Sequence, residues 1–482
     1  MASERRTIIR TLLFFVAALL SVEAGFSASP QSSASIGKAR ATTPPNVILM
    51  MADDLGIGDV GCYGHSEIPT PHLDSIAAQG VRMTQFYSSA PVCTPSRFSL
   101  LTGMLPNRSR DRLLDALYYA DENDLKRGLH HGEEILAQRL KSKGYATALI
   151  GKWHLGHGKA FLPIYHGFDY FLGHTGGAID FWTHRWGYIP DWYRNDELIE
   201  QKGYTTDLIA DEAVSWIQAN SRKPFFLYIP FNAPHVARGW DPKKKDPRLE
   251  SRVPDEREFV TELQAPEEAI AKFRWIKDPK RRVYAAMVSR MDDAVGRILQ
   301  AVQQSGLAPV TLIAFLSDNG GDPGWGGSSK PFRGGKTHYW EGGIRVPCLM
   351  RLPGHIPAGS ISHQVAANLD IAPTVATLAG LSVPAQPVDG VDIGPSLFQG
   401  RWIERELFFW NGKTAGAFRS GRWKLVEMPL VAGQPAETGL YDLETDALES
   451  RDFASVYPAR LKELQAKYAQ VKQKLASLPA AR

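Results

Sequence analysis

Four runs of predominantly apolar residues constrain the fold of this 482-residue chain more than any other feature. The runs occupy residues 45–51, 146–150, 224–229 and 310–316. Runs of this length and composition are typical of strands that are buried on both faces of an α/β sheet. Between them lie segments long enough for helices, most clearly at 284–302, where apolar residues recur at spacings of three and four. The sequence therefore predicts an α/β fold.

Polar residues follow each of the four runs, at the point where the predicted strand ends. They are Asp53 and Asp54, Lys152 and His154, His235, and Asp318 and Asn319. Because ligands bind at the carboxyl ends of strands in open α/β sheets, we expect these side chains to share one site. Two adjacent carboxylates repel each other unless a cation joins them, and carboxylate and amide oxygens are ligands for calcium or magnesium. The alternative at Asp53 and Asp54 is a solvated turn in which an aspartate caps a helix.

Cys93 lies in the turn-forming segment 91–97, between the first and second predicted strands. An amphipathic pattern begins directly after this segment, so we expect a tight turn that leads into a helix. A cysteine near a helix N-terminus, where backbone N–H groups favour an anion, is a candidate reactive centre. The alternative is a buried structural thiol. Only Cys62 and Cys348 occur besides it, so the sequence offers no disulfide framework, and we expect both to be free.

Residues 167–194 are rich in aromatic residues, histidine and glycine and show no clean periodicity. This composition predicts a long loop region, and loops often carry substrate contacts. His174, His184 and Arg185 are therefore candidate substrate-binding residues, although loop packing explains them equally well.

The two ends of the chain differ in composition from its middle. Residues 1–24 contain arginines and then an apolar run too short to span a membrane, which predicts a signal peptide. We expect export to the periplasm or the medium, a tether at 25–44 and no stable membrane anchor. We assign 45–390 to a catalytic domain and 391–482, where short strand patterns precede a terminal helix, to a small C-terminal domain. The formal net charge of +4 gives no electrostatic case for binding nucleic acid.

The segment from Cys93 to Arg97, Cys-x-Pro-x-Arg, resembles the signature of the type I, formylglycine-dependent sulfatases. In that family a separate formylglycine-generating enzyme oxidises the cysteine. Within that family the chain resembles the arylsulfatases. The resemblance extends over nearly the whole chain, because further motifs follow in the family's order. These motifs are Asp53-Asp54, residues 151–154, His235, residues 317–320 and Gly335-Lys336. The resemblance implies an alkaline-phosphatase-like mixed sheet flanked by helices, with a smaller C-terminal antiparallel-sheet domain.

The resemblance also implies that Cys93 becomes formylglycine and is hydrated to a geminal diol. One hydroxyl of the diol attacks sulfur, and the other later expels sulfate and restores the aldehyde. One Ca²⁺ would activate this nucleophile and neutralise the charge of the sulfate group. Its implied ligands are Asp53, Asp54, Asp318, Asn319 and the modified Cys93.

Five further matched residues have implied roles around the nucleophile. Arg97 and Lys152 would hold the diol, and His154 would take its proton. His235 and Lys336 would serve the leaving oxygen and the sulfate group. Together these roles predict hydrolysis of a sulfate ester with release of inorganic sulfate.

The aromatic region and the predicted export favour a sulfated carbohydrate as substrate, and a sulfated small molecule such as an aryl sulfate stays open. Two other functions also stay open. One is a phosphodiester or phosphonate monoester hydrolase that uses the same formylglycine. The other is a non-catalytic protein that binds sulfated glycans, which requires Cys93 to stay a thiol.

Overall fold

The structure is a computed structural model that describes residues 44–64, 67–119, 121–240, 259–382, 386–429 and 436–477. The predicted signal peptide and all but the last residue of the predicted tether lie outside the described residues. None of the described helices is both long enough and apolar enough to cross a membrane.

Within these ranges the chain forms twenty strands and ten α-helices. The strands are β1 (Asn46–Ala52), β2 (Val81–Met83), β3 (Phe86–Tyr87), β4 (Ala146–Lys152), β5 (Tyr170–His174), β6 (Arg185–Trp186), β7 (Ile189–Pro190), β8 (Tyr193–Arg194), β9 (Glu197–Leu198), β10 (Phe225–Pro230), β11 (Ala237–Trp240), β12 (Phe259–Glu262), β13 (Thr311–Ser317), β14 (Cys348–Arg351), β15 (Ser360–Ser362), β16 (Ala366–Ala367), β17 (Glu406–Trp410), β18 (Gly416–Ser420), β19 (Trp423–Met428) and β20 (Glu437–Asp442). The helices are α1 (Pro71–Ala78), α2 (Cys93–Thr102), α3 (Leu136–Ser142), α4 (Thr205–Ala219), α5 (Glu267–Ala271), α6 (Pro279–Gln304), α7 (Glu341–Ile344), α8 (Ile371–Leu378), α9 (Gly394–Gln399) and α10 (Pro458–Ala476).

The large sheet of the described residues has ten strands, in the order β15-β2-β14-β13-β1-β10-β4-β5-β8-β9. Strands β13, β1, β10, β4 and β5 are parallel to one another. Antiparallel pairing begins at β14 on one side and at β8 on the other. The four apolar runs of the sequence form four adjacent parallel strands, which confirms the predicted α/β fold and its mixed sheet.

Alternate residues of β1 face two different cores. Ile48 and Met50 belong to the core on one face, which includes residues of α1, α4 and α6. Leu49 and Met51 belong to the core on the other face, which includes residues of α2, α3 and α8. Because helices cover both faces, polar side chains are unfavourable on either one, which explains why the runs are predominantly apolar.

The segment 167–194, predicted as a loop, contains β5, which extends the parallel sheet beyond β4. Its register pairs Gly151 with Gly173 and Lys152 with His174. A Cβ on Gly173 would lie 1.9 Å from the Gly151 carbonyl oxygen, so this close approach of two strands requires glycine. Glycine and histidine interrupt the apolar pattern of β5, which is why periodicity does not reveal the strand.

Strands β17–β20 form a separate antiparallel sheet, against which α10 packs. This confirms the predicted C-terminal strands and terminal helix. The small sheet shares its core with the rest of the chain, because Leu425 and Tyr468 lie in the same apolar cluster as Tyr87 and Ile344. The domain boundary at residue 390 stays a prediction.

A buried group of charges, the Lys424 cluster, connects the small sheet to the segment that follows Lys336. Its centre is Lys424 Nζ, which lies 2.8 Å from Glu341 Oε1 and 2.8 Å from Glu449 Oε1, and all three side chains are fully buried. Glu341 Oε2 also accepts a hydrogen bond from the Tyr87 hydroxyl at 2.7 Å. Since a buried charge is tolerated only when it is paired, each member of the cluster depends on the others.

We expect the Lys424→Met variant to lower the free energy of unfolding by about 3–5 kcal/mol, because it leaves two buried carboxylates without their shared cation. Urea-induced unfolding measures this change. Lys467→Met is the matched control, since Lys467 pairs with Glu406 at 2.8 Å with both side chains exposed. The control should stay within about 1 kcal/mol of the wild type. Equal losses in the two variants would contradict a structural role for the Lys424 cluster.

Candidate active site

The polar residues that follow β1, β4, β10 and β13 meet at one edge of the sheet, and α2 begins beside them. One ligand atom from each of Asp53, Asp54, Cys93 and His235 lies within 4.8 Å of the corresponding atoms of the other three. Lys152, at the end of β4, donates to Asp53, and Asp318, directly after β13, accepts from the Asp54 N–H. The carboxyl ends of the four parallel strands therefore form one shared site, as the sequence predicts.

Cys93 is the first residue of α2 and is 3% exposed, with Val92 in an extended conformation before it. This confirms the predicted turn into a helix. Its thiol donates to Asp53 Oδ1 at 3.5 Å. Burial raises the pKa of the Cys93 thiol, against the opposing influence of Lys152. An unmodified thiol here is neutral near pH 7 and therefore a poor nucleophile. Cys93, Cys62 and Cys348 are all free.

Three carboxylates in the site are paired with three cations. Arg97 donates from Nη2 to Asp318 Oδ2 at 2.8 Å. Lys152 Nζ donates to Asp53 Oδ2 at 2.6 Å. A third pair, Lys336 Nζ with Asp54 Oδ2, is also 2.6 Å long. The side chains of the first two pairs are fully buried. Because three positive groups balance three negative ones, the site is close to electroneutral.

The oxygen atoms of this group fit a hard divalent cation. Asn319 Nδ2 donates to Asp54 Oδ1 at 2.7 Å, whereas Asn319 Oδ1 is buried and has no hydrogen-bond partner among the described residues. Burial and the nearby Asp53 raise the pKa of Asp318 to about 6, because two crowded carboxylates are costly to ionise together. A buried amide oxygen without a partner next to three carboxylates is the donor set that Ca²⁺ or Mg²⁺ prefers.

Two histidines of the site are neutral and each has one ring nitrogen that can accept a proton. His154 Nε2 lies 2.9 Å from the Leu117 carbonyl oxygen. Because a carbonyl only accepts, Nε2 carries the proton, and the buried Nδ1 has no partner among the described residues. Burial, with Lys152 as the next cause, holds the pKa of His154 well below its usual value. His154 also has a left-handed backbone, with φ at +57°, which is uncommon outside glycine.

His235 is oriented in the same way by the backbone. Its Nδ1 donates to the Val236 carbonyl oxygen at 2.8 Å, and its Nε2 accepts from Lys336 Nζ at 3.1 Å. Burial, reinforced by Lys336, lowers the pKa of His235 to about 3. His235 and Lys336 therefore form one unit in which the lysine carries the positive charge.

The three candidate substrate-binding residues lie in two places. His174 ends β5 as the register partner of Lys152, and its Nδ1 donates to the Gly176 carbonyl oxygen at 3.1 Å. Its buried Nε2 has no partner among the described residues. His184 and Arg185 line a cavity of about 380 Å³ whose other lining residues include the half-exposed Trp182. Their role in binding substrate stays a prediction.

The structure adds two residues that sequence reasoning does not single out. Thr94 Oγ1 accepts from the Leu117 N–H at 3.2 Å and donates to the His154 carbonyl oxygen at 3.1 Å. Asn232 is 1% exposed, and neither polar atom of its side chain has a partner among the described residues. The available signals were the position of Thr94 directly after Cys93 and the position of Asn232 two residues after the end of the buried strand β10.

Comparison with protein families gives two matches. A model described as Sulfatase matches residues 45–381, and a model described as N-sulphoglucosamine sulphohydrolase, C-terminal, matches residues 335–480. N-acetylgalactosamine-6-sulfatase of Sus scrofa is 34% identical over 414 residues, which cover 82% of this chain and 73% of that protein. Arylsulfatase A of Bos taurus is 36% identical over 421 residues, which cover 80% of this chain and 75% of that protein.

The fold is similar to that of solved structures. Ps i-CgsB in complex with k-i-k-neocarrahexaose is 30% identical to this chain and superposes with a TM-score of 0.77. The alignment covers 89% of this chain and 93% of that chain.

Proposed function

Because this chain belongs to the sulfatase family and is a sulfuric ester hydrolase, we propose that it cleaves the sulfate ester of a carbohydrate through a formylglycine made from Cys93. The observation that carries the proposal is the position of Cys93. It lies at the start of α2 with Asp53, Asp54 and His235 within 4.8 Å, inside a group of paired charges. A structural cysteine would instead lie among apolar side chains, as Cys348 does.

Formylglycine, when hydrated, supplies a geminal diol. One hydroxyl can attack sulfur, and the other can later expel the sulfate and restore the aldehyde. The side chains of this chain then have separate tasks. Arg97 and Lys152 hold the diol, and both are already fixed by buried carboxylates. The free Nδ1 of neutral His154 accepts the proton of the second hydroxyl. His235 and Lys336, in direct contact, serve the leaving oxygen and the sulfate group. Lys336 is the donor of the two, because Nε2 of the neutral His235 accepts from it.

The donor set of the site fits a resident divalent cation, which we propose to be Ca²⁺. Asp53, Asp54, Asp318 and the partnerless Oδ1 of Asn319 would hold it, together with the modified Cys93. Such an ion supplies positive charge that stabilises an oxyanion. Since three carboxylates already balance three cations, a divalent ion gives the site an excess of two positive charges. That excess matches an anionic sulfate ester and the sulfate dianion it releases.

Two findings favour a carbohydrate substrate. One relative is named N-acetylgalactosamine-6-sulfatase, and the similar structure Ps i-CgsB was solved with a neocarrahexaose. On this chain, Trp182 is 47% exposed beside the cavity that His184 and Arg185 line. An exposed tryptophan at a cleft suits stacking against a sugar ring. We also propose that residues 1–24 direct export, and that a formylglycine-generating enzyme acts on the chain during maturation.

The proposed function is tested with protein matured in the presence of a formylglycine-generating enzyme. We expect release of inorganic sulfate from an aryl sulfate and faster release from a sulfated galactose or N-acetylgalactosamine oligosaccharide, measured by ion chromatography. The same protein matured without that enzyme is the control and should be inactive. Faster turnover of an aryl phosphonate than of every sulfate ester would contradict the proposed substrate class.

A further inference from the structure

The imidazole of His154 is enclosed by two segments, residues 117–119 and 175–177. The first contains Leu117, whose carbonyl oxygen accepts the Nε2 proton. The second packs its backbone on the ring at Gly177, where a Cβ would lie 2.6 Å from Cε1 and 2.7 Å from Nε2 of His154. Only glycine fits this contact. A displacement of either segment would therefore move the ring or change its tautomer.

A chain of hydroxyl groups joins these two segments and ends at Asp191. Thr175 Oγ1 lies 2.5 Å from the Tyr119 hydroxyl oxygen and 2.9 Å from Asp191 Oδ1. Because the carboxylate accepts, Thr175 donates to Asp191 and Tyr119 donates to Thr175. Asp191 also accepts from the backbone N–H groups of Thr175 at 2.9 Å and Gly176 at 2.7 Å. We call Asp191, Thr175 and Tyr119 the Asp191 clamp.

Asp191 is fully buried, and burial raises the pKa of its carboxyl group to about 7. Burying a carboxylate is unfavourable unless several donors satisfy it. All four of the hydrogen bonds described for the clamp involve Thr175 or the residue next to it. Removing the carboxylate would therefore release the 175–177 segment first, and that segment is the one packed on His154.

We propose that Asp191 is a positioning residue for His154. Through Thr175 and Tyr119 it holds the two enclosing segments together, so that Nε2 stays protonated on the Leu117 side and Nδ1 stays free on the other. The inference rests on the proposed function insofar as His154 accepts a proton during turnover. It does not depend on which sulfate ester is the substrate.

Three variants test the clamp: Asp191→Asn, Thr175→Val and Tyr119→Phe. We expect kcat on an aryl sulfate to fall by about 10- to 100-fold in Asp191→Asn, the size typical for a partner that orients a reacting group, with little change in KM. Thr175→Val and Tyr119→Phe should show the same pattern to a smaller degree. Tyr170→Phe is the matched control, because it removes a hydroxyl that donates to Glu212 at 2.7 Å outside the clamp, and its kcat should equal that of the wild type.

A double-mutant cycle separates positioning from general destabilisation. In a His154→Ala background, Asp191→Asn should cause no further loss of kcat, because the group through which it acts has been removed. If the two losses multiply instead, Asp191 acts independently of His154 and the proposal is wrong. Should Asp191→Asn fail to fold, the same cycle is made with Thr175→Val or Tyr119→Phe.

A second readout does not require activity. In protein with isotope-labelled histidine, the ring-nitrogen resonances that disappear in His154→Ala report the tautomer of His154. We expect a protonated Nε2 in the wild type and a mixture of tautomers in Asp191→Asn. An unchanged tautomer together with unchanged kcat would overturn the proposal. If the wild type is inactive but Asp191→Asn still shifts the tautomer of His154, the proposed function is refuted and the positioning role of the Asp191 clamp is supported.

Discussion

The Cys93→Ala variant should lose sulfate ester hydrolysis by about 10⁵- to 10⁶-fold in kcat while the chain stays folded. Loss of a covalent nucleophile has effects of this size, because the remaining groups only orient the ester and stabilise charge. The fold should persist, since the one hydrogen bond described for the thiol is long, 3.5 Å to Asp53 Oδ1. Sulfate release at saturating aryl sulfate measures the activity, and circular dichroism with thermal unfolding measures the fold.

Cys348→Ala is the matched control for this variant. Cys348 is fully buried in β14, within the apolar core on one face of the large sheet. Its replacement should lower stability slightly and leave kcat unchanged. Mass spectrometry of the peptide that contains Cys93 should in turn show an aldehyde or its hydrate in active protein. An active enzyme that retains the thiol, or an active Cys93→Ala variant, would contradict the formylglycine mechanism.

Removal of the divalent cation should have the second largest effect. A chelator should abolish sulfate release by the wild type, and added Ca²⁺ should restore it. Asp54→Asn should lower Ca²⁺ affinity by about 100-fold or more, because loss of even an outer partner of a metal site costs 10- to 100-fold. The carboxylate of Asp54 is also the partner of Lys336 and Asn319, so the variant loses charge and orientation together. Isothermal titration calorimetry on chelator-treated protein measures the affinity directly.

Asp292→Asn controls for the loss of a buried carboxylate elsewhere. Asp292 accepts from the N–H groups of His72 and Leu73 at the start of α1. This variant should unfold at a lower temperature than the wild type and bind Ca²⁺ with unchanged affinity. Full activity in the presence of chelator, or equal loss of Ca²⁺ affinity in the two variants, would refute a functional ion at Asp54.

Much of the large sheet could be predicted from residues alone. A strand that is buried on both faces needs a long apolar run, and the four runs of the sequence form β1, β4, β10 and β13. The alkaline-phosphatase-like fold and the small antiparallel sheet, which the resemblance implies, are confirmed. Parallel strands align their carboxyl ends, so the polar residues that follow them had to meet.

The surroundings of His154 could not be predicted in the same way. Contacts among Tyr119, Thr175 and Asp191 depend on the path of irregular segments, and hydrophobic periodicity contains no information about such paths. The sequence pattern does not predict strand β5, because Gly173 and His174 occupy positions where a buried strand normally has apolar side chains. The position of His174 beside Lys152 follows from the register of β5 on β4, which the sequence pattern does not reveal.

Because of the Lys424 cluster, residues 391–482 cannot be exchanged on their own for the corresponding part of a relative. Lys424 and Glu449 belong to the C-terminal part of the chain, whereas Glu341 lies only five residues after Lys336. A chimera that took its C-terminal part from another sulfatase would leave Glu341 with only Arg345 of its two described cationic partners unless the donor sequence supplied a lysine in the same place. A hybrid enzyme built from this chain should therefore keep Glu341, Lys424 and Glu449 together.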